Sequence, residues 1–324
     1  MTGQSVAVII ITRNRTESLR HCLSCIANQT RPAQEVIVVD SSGDTGTRDL
    51  VRADYPSALY IHVETRLGSL PTQRNIALSH VKSDIVAVTD DDGFARPEWI
   101  AELLECHGPG VGAVGGRILQ GAADEGRGLA RPIVGAVSPL RGSYGNFNVM
   151  WPEPFEVSQL QGTNMSFPRE TLARIGGWDP TLESGYAAYE DTDVCLRVRR
   201  LGRRIIYNPR AIVQHGLEPR EGGFGRDPGL SPRLAYSVSR NVAYTVFRNY
   251  RLTPGVIRDA GILAPIVNIA RAVLPKQPGA SRRSISFSPA RWKAAGAIAA
   301  GHLAGLCRIF RSEKPNAWPR LEPP

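Results

Sequence analysis

The 324-residue sequence predicts an α/β fold built on a doubly wound sheet. Runs rich in β-branched residues, which are typical of buried strands, recur through the first 120 residues. Amphipathic segments with helical periodicity separate these runs. Polar loops follow several of the runs directly, and open α/β sheets bind ligands at the carboxyl ends of their strands. This alternation indicates helices on both faces of a largely parallel sheet.

The first half of the chain supplies most of the predicted strands. Its β-branched runs predict strands over residues 6–11, 35–40, 60–63, 85–89 and 111–119. Apolar spacing predicts that the intervening helices begin near Thr16 and cover residues 47–53, 70–80 and 97–105. The last of these opens with Pro97, and proline is favoured in the first turn of a helix. Strand and helix therefore alternate through residue 119.

The second half is less regular, beginning with a stretch at 120–160 that is rich in glycine and proline. Beyond it, the sequence predicts helices near 168–175 and 191–200, a strand over 204–207, a linker at 218–232, and helical stretches near 233–250, 254–274 and 290–311. We therefore predict a core domain of residues 1–230, with halves of about 1–119 and 120–217. A helical C-terminal extension of residues 231–324 would follow it.

Charge is distributed unevenly between these two parts. The whole chain has a net charge of +9, yet residues 1–230 carry −3 and residues 231–324 carry +12. A basic surplus confined to one segment indicates an anionic partner for that segment, either a membrane surface or nucleic acid.

The remaining bulk features predict a cytoplasmic protein without a membrane span. The first apolar run lacks the basic segment and cleavage site of a secretory signal. The sequence contains no run of about 20 uninterrupted apolar residues, so it predicts no membrane-spanning helix. Five cysteines do not indicate a disulfide framework. Cys22 and Cys25 form a single CxxC on a predicted helix, which favours packing over a redox or zinc site.

Three adjacent acids, Asp90, Asp91 and Asp92, directly follow the predicted strand 85–89 and precede Gly93. Such carboxylates repel one another, and a bound cation would offset their charge. Carboxylate oxygens suit Mg2+ or Mn2+, ions that commonly bridge protein carboxylates and substrate phosphates. The alternative is a solvated acidic turn. The strand and the glycine that flank the acids favour the metal site.

A second acidic group, Glu190-Asp191-x-Asp193, opens the predicted helix 191–200. Acids at a helix start interact favourably with the helix dipole, so capping alone explains the group. The functional alternative is a general base, and the dipole and a nearby arginine would then lower the pKa of Asp191. His215 follows a further strand-like segment. It is either a structural residue or, if the acidic triad is close in space, a metal ligand.

Gly110, Gly112 and Gly115 match the spacing of the dinucleotide-binding fingerprint. That fingerprint must follow a strand and open a helix. Here a predicted helix precedes the glycines and a predicted strand contains them. The match therefore does not indicate nicotinamide or flavin binding.

Taken in order, these motifs resemble the family 2 glycosyltransferases of the GT-A fold over about residues 6–216. The DxD and ED motifs are matched by Asp90–Asp92 and by Glu190-Asp191. The segment 66–75 (RLGSLPTQRN) resembles the G-x-x-x-A-R-N element, with Gln73 in place of alanine. The other similar elements are the loop 12–15, Asp40 after the second strand, the acceptor-side segment 162–179, and His215.

The resemblance implies a Rossmann-like GT-A fold with a mixed sheet, and it implies roles for single residues. Asp191 would be the catalytic base of an inverting sugar transfer, and Asp92 with His215 would hold Mn2+ or Mg2+. The residues implied in nucleotide-sugar binding are Thr12, Arg13, Asn14, Arg15, Asp40, Arg74, Asp90 and Asp91. Those implied on the acceptor side are Trp178, Asp179 and Glu190, although Trp178 could either stack on a sugar ring or pack in the core.

The resemblance also implies partners. The expected donor is a UDP- or dTDP-sugar, and the expected acceptor is a glycan or a lipid-linked molecule of bacterial polysaccharide or glycolipid synthesis. The predicted helices 254–274 and 290–311 combine apolar residues with basic ones, which indicates either binding to an anionic membrane surface or packing on the catalytic domain, and no nucleic acid is expected. The protein would lie in the cytoplasm, peripherally bound to the inner face of the cell membrane.

Two rival functions make different demands on the sequence. A nucleotidyltransferase of related fold would carry a glycine-rich basic loop after the first strand, and the loop 12–15 contains no glycine. A non-catalytic scaffold that binds nucleotide sugars would be consistent with the loss of one motif carboxylate. All of these carboxylates are present.

Overall fold

The fold is known from a computed structural model. It describes residues 3–64, 69–121, 133–139, 142–183, 189–216, 231–250, 254–256, 258, 263–273 and 289–311. The strands are β1 (Val6–Thr12), β2 (Glu35–Asp40), β3 (Leu59–His62), β4 (Ile85–Asp90), β5 (Gly93–Ala95), β6 (Val111–Leu119), β7 (Ala136–Ser138), β8 (Gly142–Tyr144), β9 (Phe155–Glu156), β10 (Met165–Pro168) and β11 (Arg204–His215). The helices are α1 (Thr16–Ala27), α2 (Gly46–Asp54), α3 (Leu70–His80), α4 (Trp99–Glu105), α5 (Arg169–Ile175), α6 (Glu190–Arg200), α7 (Pro232–Asn249), α8 (Pro254–Val256), α9 (Ala264–Val273) and α10 (Pro289–Arg311).

Nine of the described strands form one mixed sheet in the order β3-β2-β1-β4-β10-β6-β11-β5, with β9 paired to β11. The pairs among β1, β2, β3 and β4 are parallel, as is the pair of β6 with β11. Strand β10 runs antiparallel between β4 and β6, and β5 pairs antiparallel with β11. The predicted α/β class with a doubly wound mixed sheet is therefore confirmed.

Both faces of the sheet are covered by helices, and each face has its own apolar core. Along β1, Ala7 and Ile9 point into one cluster, while Val8 and Ile10 point into the other. Strands buried on both faces must be apolar at every position, which explains the continuous β-branched runs. Cys22 is buried in the second cluster, in agreement with the packing interpretation of the CxxC pair.

Several elements differ from the sequence-based expectation in their bounds or in being absent from it. Strand β10 was not predicted, because it is only four residues long and its pairing partners are remote in sequence. Pro168 therefore ends a strand, and the predicted helix 168–175 begins one residue later. Strand β11 continues through Asn208, where the pairing with β6 shifts, and joins two segments that the sequence suggested separately. Helix α4 begins at Trp99, two residues after Pro97.

The glycines that match the dinucleotide-binding spacing lie at and within β6, so the predicted strand context is correct. An added Cβ at Gly115 would lie 2.4 Å from the backbone oxygen of Asn164. One at the adjacent Gly116 would lie 1.9 Å from that of Ala211. Close packing against neighbouring strands therefore explains these glycines.

The described C-terminal helices pack on the core and on one another. Val242 and Val246 of α7 form a small apolar cluster with Leu196 of α6. Gly301 and Gly305 of α10 lie against the backbone of α7, where an added Cβ would come within 2.2 and 2.3 Å of its carbonyl oxygens. The predicted helix 254–274 is represented by α8 and α9, and residues 218–230 of the predicted linker lie outside the described residues. None of the helices described here is both long enough and apolar enough to cross a membrane.

Candidate active site

The carboxyl ends of three neighbouring parallel strands bring the predicted polar residues to one edge of the sheet. Thr12 ends β1 beside Asp40 of β2, and Ile11 is paired with Asp90 of β4. The polar loop 12–15, the acid after the second strand and the acidic triad therefore converge, as their places in the sequence predicted.

Asp90, Asp92 and His215 form a group that could hold a metal ion. Each offers one ligand atom, and these atoms lie within 4.8 Å of one another. His215 reaches the group because β5 turns back after the triad and pairs with β11, which places His215 opposite Gly93. Its Nε2 lies 3.2 Å from Oδ1 of Asp92. The His215 Nδ1 is buried and has no hydrogen-bond partner in the described part of the chain.

This donor set fits the predicted ion. Two carboxylates and one imidazole suit Mn2+ or Mg2+, with positions left for phosphate oxygens or water. Gly93 permits the sharp return of the chain, since an added Cβ would lie 2.3 Å from Oγ1 of Thr89. Strand β11 thus supplies the third potential metal ligand, His215, to the two that come from the acidic triad.

Asp91 points in a different direction from its two neighbours. Its fully buried carboxylate accepts hydrogen bonds from Oγ1 of Thr12 at 2.8 Å and from Nε and Nη2 of Arg15. Nη1 of Arg15 also lies 3.1 Å from Asp92. Burial raises the pKa of Asp91 to about 7, although the Arg15 charge opposes the shift. Asp91 thereby anchors the loop 12–15, and its contact with a nucleotide stays a prediction.

The nucleotide side of the predicted site is ordered by short hydrogen bonds. The buried Asp40 carboxylate accepts from the backbone and hydroxyl of Ser42, at 2.8 and 2.5 Å, and from the Tyr60 hydroxyl at 2.8 Å. Asn14 has a left-handed backbone, and its side chain accepts from the Gly43 amide at 3.0 Å. Arg13 lies half-buried in the same loop. These contacts hold the loops after β1 and β2 together.

Arg74 lies between the two acidic groups of the sequence. Its guanidinium is 3.6 Å from Asp90 and 3.5 Å from Glu190, and it donates to the Gly162 backbone oxygen at 3.4 Å. The guanidinium carbon also lies 5.7 Å from the centre of the Trp178 ring. Arg74 is only 1% exposed, and its place on the nucleotide side stays a prediction. It links the metal-side carboxylates to those of α6.

Glu190 and Asp191 occupy the start of α6, as predicted. Tyr189 precedes them with a left-handed backbone that turns the chain into the helix. Asp191 accepts from the amide of Thr192 at 2.7 Å and from that of Gly162 at 3.2 Å.

The expectation that the pKa of Asp191 is lowered is wrong. Burial raises the pKa of Asp191, although the amides of Thr192 and Gly162 and the Arg74 charge oppose the shift. Burial and the charge of Asp191 likewise raise the pKa of Glu190. The carboxyls at the start of α6 therefore hold protons more tightly than exposed acids do.

Sequence reasoning missed one residue of this site, Thr163. Its hydroxyl donates to Oδ2 of Asp90 at 2.6 Å, and the preceding residue, Gly162, contacts both Arg74 and Asp191. A lone threonine carries no recognisable signal. The only indication was its position in the segment 162–179, which resembles an acceptor-side element.

Trp178 and Asp179 make contacts with the core and with α7. Trp178 is fully buried and packs edge-on against Phe167, so the structure supports the packing interpretation over stacking on a sugar. Asp179 accepts from the Tyr244 hydroxyl at 2.8 Å and forms an ion pair with Arg248. It thereby holds α7 against the core.

Comparisons with known proteins agree with this geometry. Residues 3–226 match the family described as Glycosyltransferase like family 2. The glucosyl-dolichyl phosphate glucuronosyltransferase of Haloferax volcanii is 28% identical over 223 residues, which are 66% of this chain and 69% of that protein. The alignments with other curated relatives cover between 24% and 50% of the length of those proteins.

Two solved structures share the fold. GalNAc-T7 with UDP, GalNAc and Mn2+ superposes with a TM-score of 0.61 at 18% identity, covering 76% of this chain and 48% of that chain. The mannosyltransferase PcManGT from Pyrobaculum calidifontis, in complex with GDP-Man and Mn2+, has a TM-score of 0.55 at 18% identity, covering 95% and 88%. The predicted GT-A fold is therefore confirmed.

Proposed function

The chain belongs to the Glycosyltransferase like family 2, and we propose that it moves a sugar from a nucleotide-diphosphate sugar to a hydroxyl acceptor with inversion. One observation carries this proposal. A group of potential metal ligands and the two carboxyls at the start of α6, one buried and one half-buried, face one another across Arg74, and Arg15 of the loop 12–15 contacts Asp92. A sugar transfer needs both groups, because a metal ion on the first must hold the diphosphate and a carboxylate of the second must accept a proton.

On the donor side, Asp90, Asp92 and His215 would hold Mn2+ or Mg2+. When bound, such an ion neutralises the charge that develops on the leaving diphosphate. Asp40 and the loop 12–15 would hold the nucleotide of a UDP- or dTDP-sugar. The solved neighbours support a nucleotide-sugar donor in general, because one was determined with UDP and Mn2+ and the other with GDP-Man and Mn2+.

On the acceptor side, Asp191 would take the proton of the acceptor hydroxyl. As the Asp191 carboxylate accepts this proton, the hydroxyl oxygen bonds to the anomeric carbon, and the bond from that carbon to the diphosphate breaks. The two amides that bind Asp191 fix its orientation. Its raised pKa makes it a stronger base once it is ionised.

The acceptor that we propose is a glycan or a lipid-linked molecule, used at the cytoplasmic face of a membrane during bacterial polysaccharide or glycolipid synthesis. Support comes from the C-terminal extension, with its net charge of +12. Ile266 of α9 and Leu303 of α10 are also 56% and 63% exposed. Apolar side chains on basic helices are typical of peripheral binding to anionic lipid.

Membrane binding can be tested by sedimentation with vesicles that contain phosphatidylglycerol. We expect the full chain to pellet at low salt and to be released at high salt, because charge attraction is screened. Replacing Ile266 and Leu303 by serine should reduce pelleting. The matched control is Leu59→Ser, since Leu59 is 42% exposed on β3 and outside the extension. Equal pelleting of all three proteins would contradict a role for these helices.

The proposed activity is tested by screening nucleotide sugars for hydrolysis in the presence of Mn2+. We expect one donor class to release nucleoside diphosphate. The selected donor is then incubated with extracted lipids, and the products are identified by mass spectrometry. Donor binding without hydrolysis or transfer would favour a non-catalytic scaffold, and synthesis of a nucleotide sugar from a nucleoside triphosphate would favour a nucleotidyltransferase.

A further inference from the structure

Helix α7 contacts both flanks of the segment that leads into the proposed base. On one flank, Arg240 donates to the backbone oxygen of Thr181 at 2.9 Å, and Asn241 donates to that of Leu182 at 2.9 Å. On the other flank, α7 packs against Leu196 of α6. The proposed base, Asp191, lies in the first turn of the same helix. The position of the base is therefore tied to the C-terminal extension.

The most direct tie is a buried hydrogen bond. The side-chain amide of Asn249 donates to Oδ1 of Asp193 at 2.9 Å, and both residues are fully buried. Asp193 also pairs with Arg197 at 2.7 Å, and Arg197 in turn donates to two backbone oxygens before α6, those of Ile175 and Gly177. Asn249 thus completes a network that crosses from α7 through α6 to the acceptor-side segment.

Asp191 and Asp193 are two positions apart on α6, so their side chains leave the helix on different faces. Asp191 points towards Gly162, and Asp193 points towards α7. A helix turn is rigid, and fixing one face therefore fixes the other. Catalytic groups must be held to within about 0.5 Å of their productive positions, which is achieved by hydrogen bonds from neighbouring residues.

We propose that Asn249 is a positioning residue for the transfer reaction, which it serves by holding Asp193 and thereby orienting Asp191 at the start of α6. This inference rests on the proposed function. It assigns to the C-terminal extension a part in the reaction that is separate from any contact with a membrane. Asn249 itself is buried away from substrate and exchanges no proton.

The test compares three variants at the Asn249–Asp193 pair. Asn249→Leu keeps the branched shape and removes the side-chain hydrogen bonds to Asp193, to the Thr245 backbone oxygen and from Arg200. Asn249→Asp instead places two carboxylates together. The double variant Asn249→Asp with Asp193→Asn restores a hydrogen bond and the number of charges. The matched control is Thr245→Val, one turn away on α7. Thr245 is fully buried, and its hydroxyl has no hydrogen-bond partner among the described residues.

We expect kcat to fall about 10- to 100-fold in folded Asn249→Leu, because small displacements of a catalytic group have effects of that size. Donor affinity, measured by calorimetry, should stay within about twofold, since the nucleotide side is untouched. Thr245→Val should keep kcat. The double variant should recover most of the kcat that Asn249→Asp loses, with kcat expressed per folded molecule so that a change in stability alone does not produce the recovery.

A folded Asn249→Leu with the kcat of Thr245→Val would overturn the proposal. If Asn249→Leu does not fold, the proposal is tested by comparing the kcat of Asn249→Asp with that of the double variant. Equal kcat in these two proteins would also overturn the proposal. Failure of the proposed function gives a different result. In that case, the unmodified protein neither hydrolyses nor transfers any nucleotide sugar in the screen.

Discussion

The carboxyl edge of the sheet and the α7–α10 helix pair are both well buried, but they bury different chemistry. At the sheet edge, Asp91, Glu190 and Arg74 are charged groups with little exposure. Between the two helices, Gly301 and Gly305 bring backbones into close contact. Buried charge is expensive unless it is paired, whereas close apolar packing stabilises directly.

This contrast indicates where function constrains the sequence. The raised pKa values at the sheet edge show that ionisation there opposes folding. Such an arrangement persists when the charges serve binding or catalysis. The contact between α7 and α10 is made at Gly301 and Gly305 by close backbone packing, so substitutions at these two glycines should change stability and leave the chemistry alone. Four predictions test the contrast.

The largest effect should follow from Asp191→Asn. The substitution keeps the shape and removes the base, so turnover should fall by about 100- to 10,000-fold while donor affinity stays within a few-fold. Steady-state kinetics and calorimetry on the same variant measure the two quantities. Asparagine also caps helices well, so nearly normal turnover would leave Asp191 with a capping role only. Asp54→Asn, at an exposed acid, is the control.

A smaller effect is expected at the metal-side group. Asp92→Ala should weaken donor binding in Mn2+ by more than the roughly 10- to 100-fold typical of losing an outer partner of a metal site. EDTA should abolish activity, and Mn2+ or Mg2+ should restore it. Asp44→Ala, in the loop after β2, serves as the matched acidic control. Full activity in EDTA would remove the metal from the mechanism.

The third prediction concerns the stability of the folded state against pH. The pKa of Glu190 is raised above its ordinary value of 4.5. Between 4.5 and the raised value, the folded state holds a proton that the unfolded state has released, so stability falls as pH rises. Glu190→Gln should remove the part of this slope that Glu190 contributes, with a gain in stability at high pH of about 1.4 kcal/mol for each unit of the shift. Urea unfolding of both proteins at pH 4 and pH 8, without metal, measures the difference, which should vanish in acid.

The smallest effect is expected in α10. Gly305→Ala adds a methyl group against the Arg240 backbone and should destabilise by about 1 kcal/mol after the gain in helix propensity. Gly296 lies on the same helix in open space, so Gly296→Ala should stabilise by up to about 1 kcal/mol. Thermal unfolding compares the two variants. If Gly305→Ala lowers the melting temperature and Gly296→Ala raises it, with turnover unchanged in both, the contrast is supported. If both substitutions shift the melting temperature equally, the close approach of α10 to α7 is contradicted.

Local sequence patterns were enough to predict most of the fold and the approximate position of the site. Strands buried on both faces are apolar at every position, which makes them visible in the sequence, and parallel strands bring their polar ends together. The positions of the loop 12–15, Asp40 and the acidic triad at strand ends are therefore enough to predict that they are neighbours. Strand β10 could not be predicted, because four residues are too few to show a periodic pattern and the strands that it pairs with are remote in sequence.

The orientations of single side chains could not be predicted. Three adjacent acids give no indication of which one faces inward, and only the contacts of Asp91 with Thr12 and Arg15 decide it. The pKa of Asp191 was misjudged because burial outweighs the local amides and Arg74. The pair of Asp179 with Arg248 joins two parts of the chain that carry no recognisable motif for such a contact.

The pairing of β5 with β11 has a consequence for the order of events during synthesis. His215 ends the last strand of the sheet along the described chain, while its companions Asp90 and Asp92 lie at the fourth strand. A nascent chain therefore carries the two acids long before it carries the histidine. Contacts between remote segments form late in folding. A cation would reach its full set of protein ligands only after β11 docks, and from then on its binding would stabilise the completed sheet.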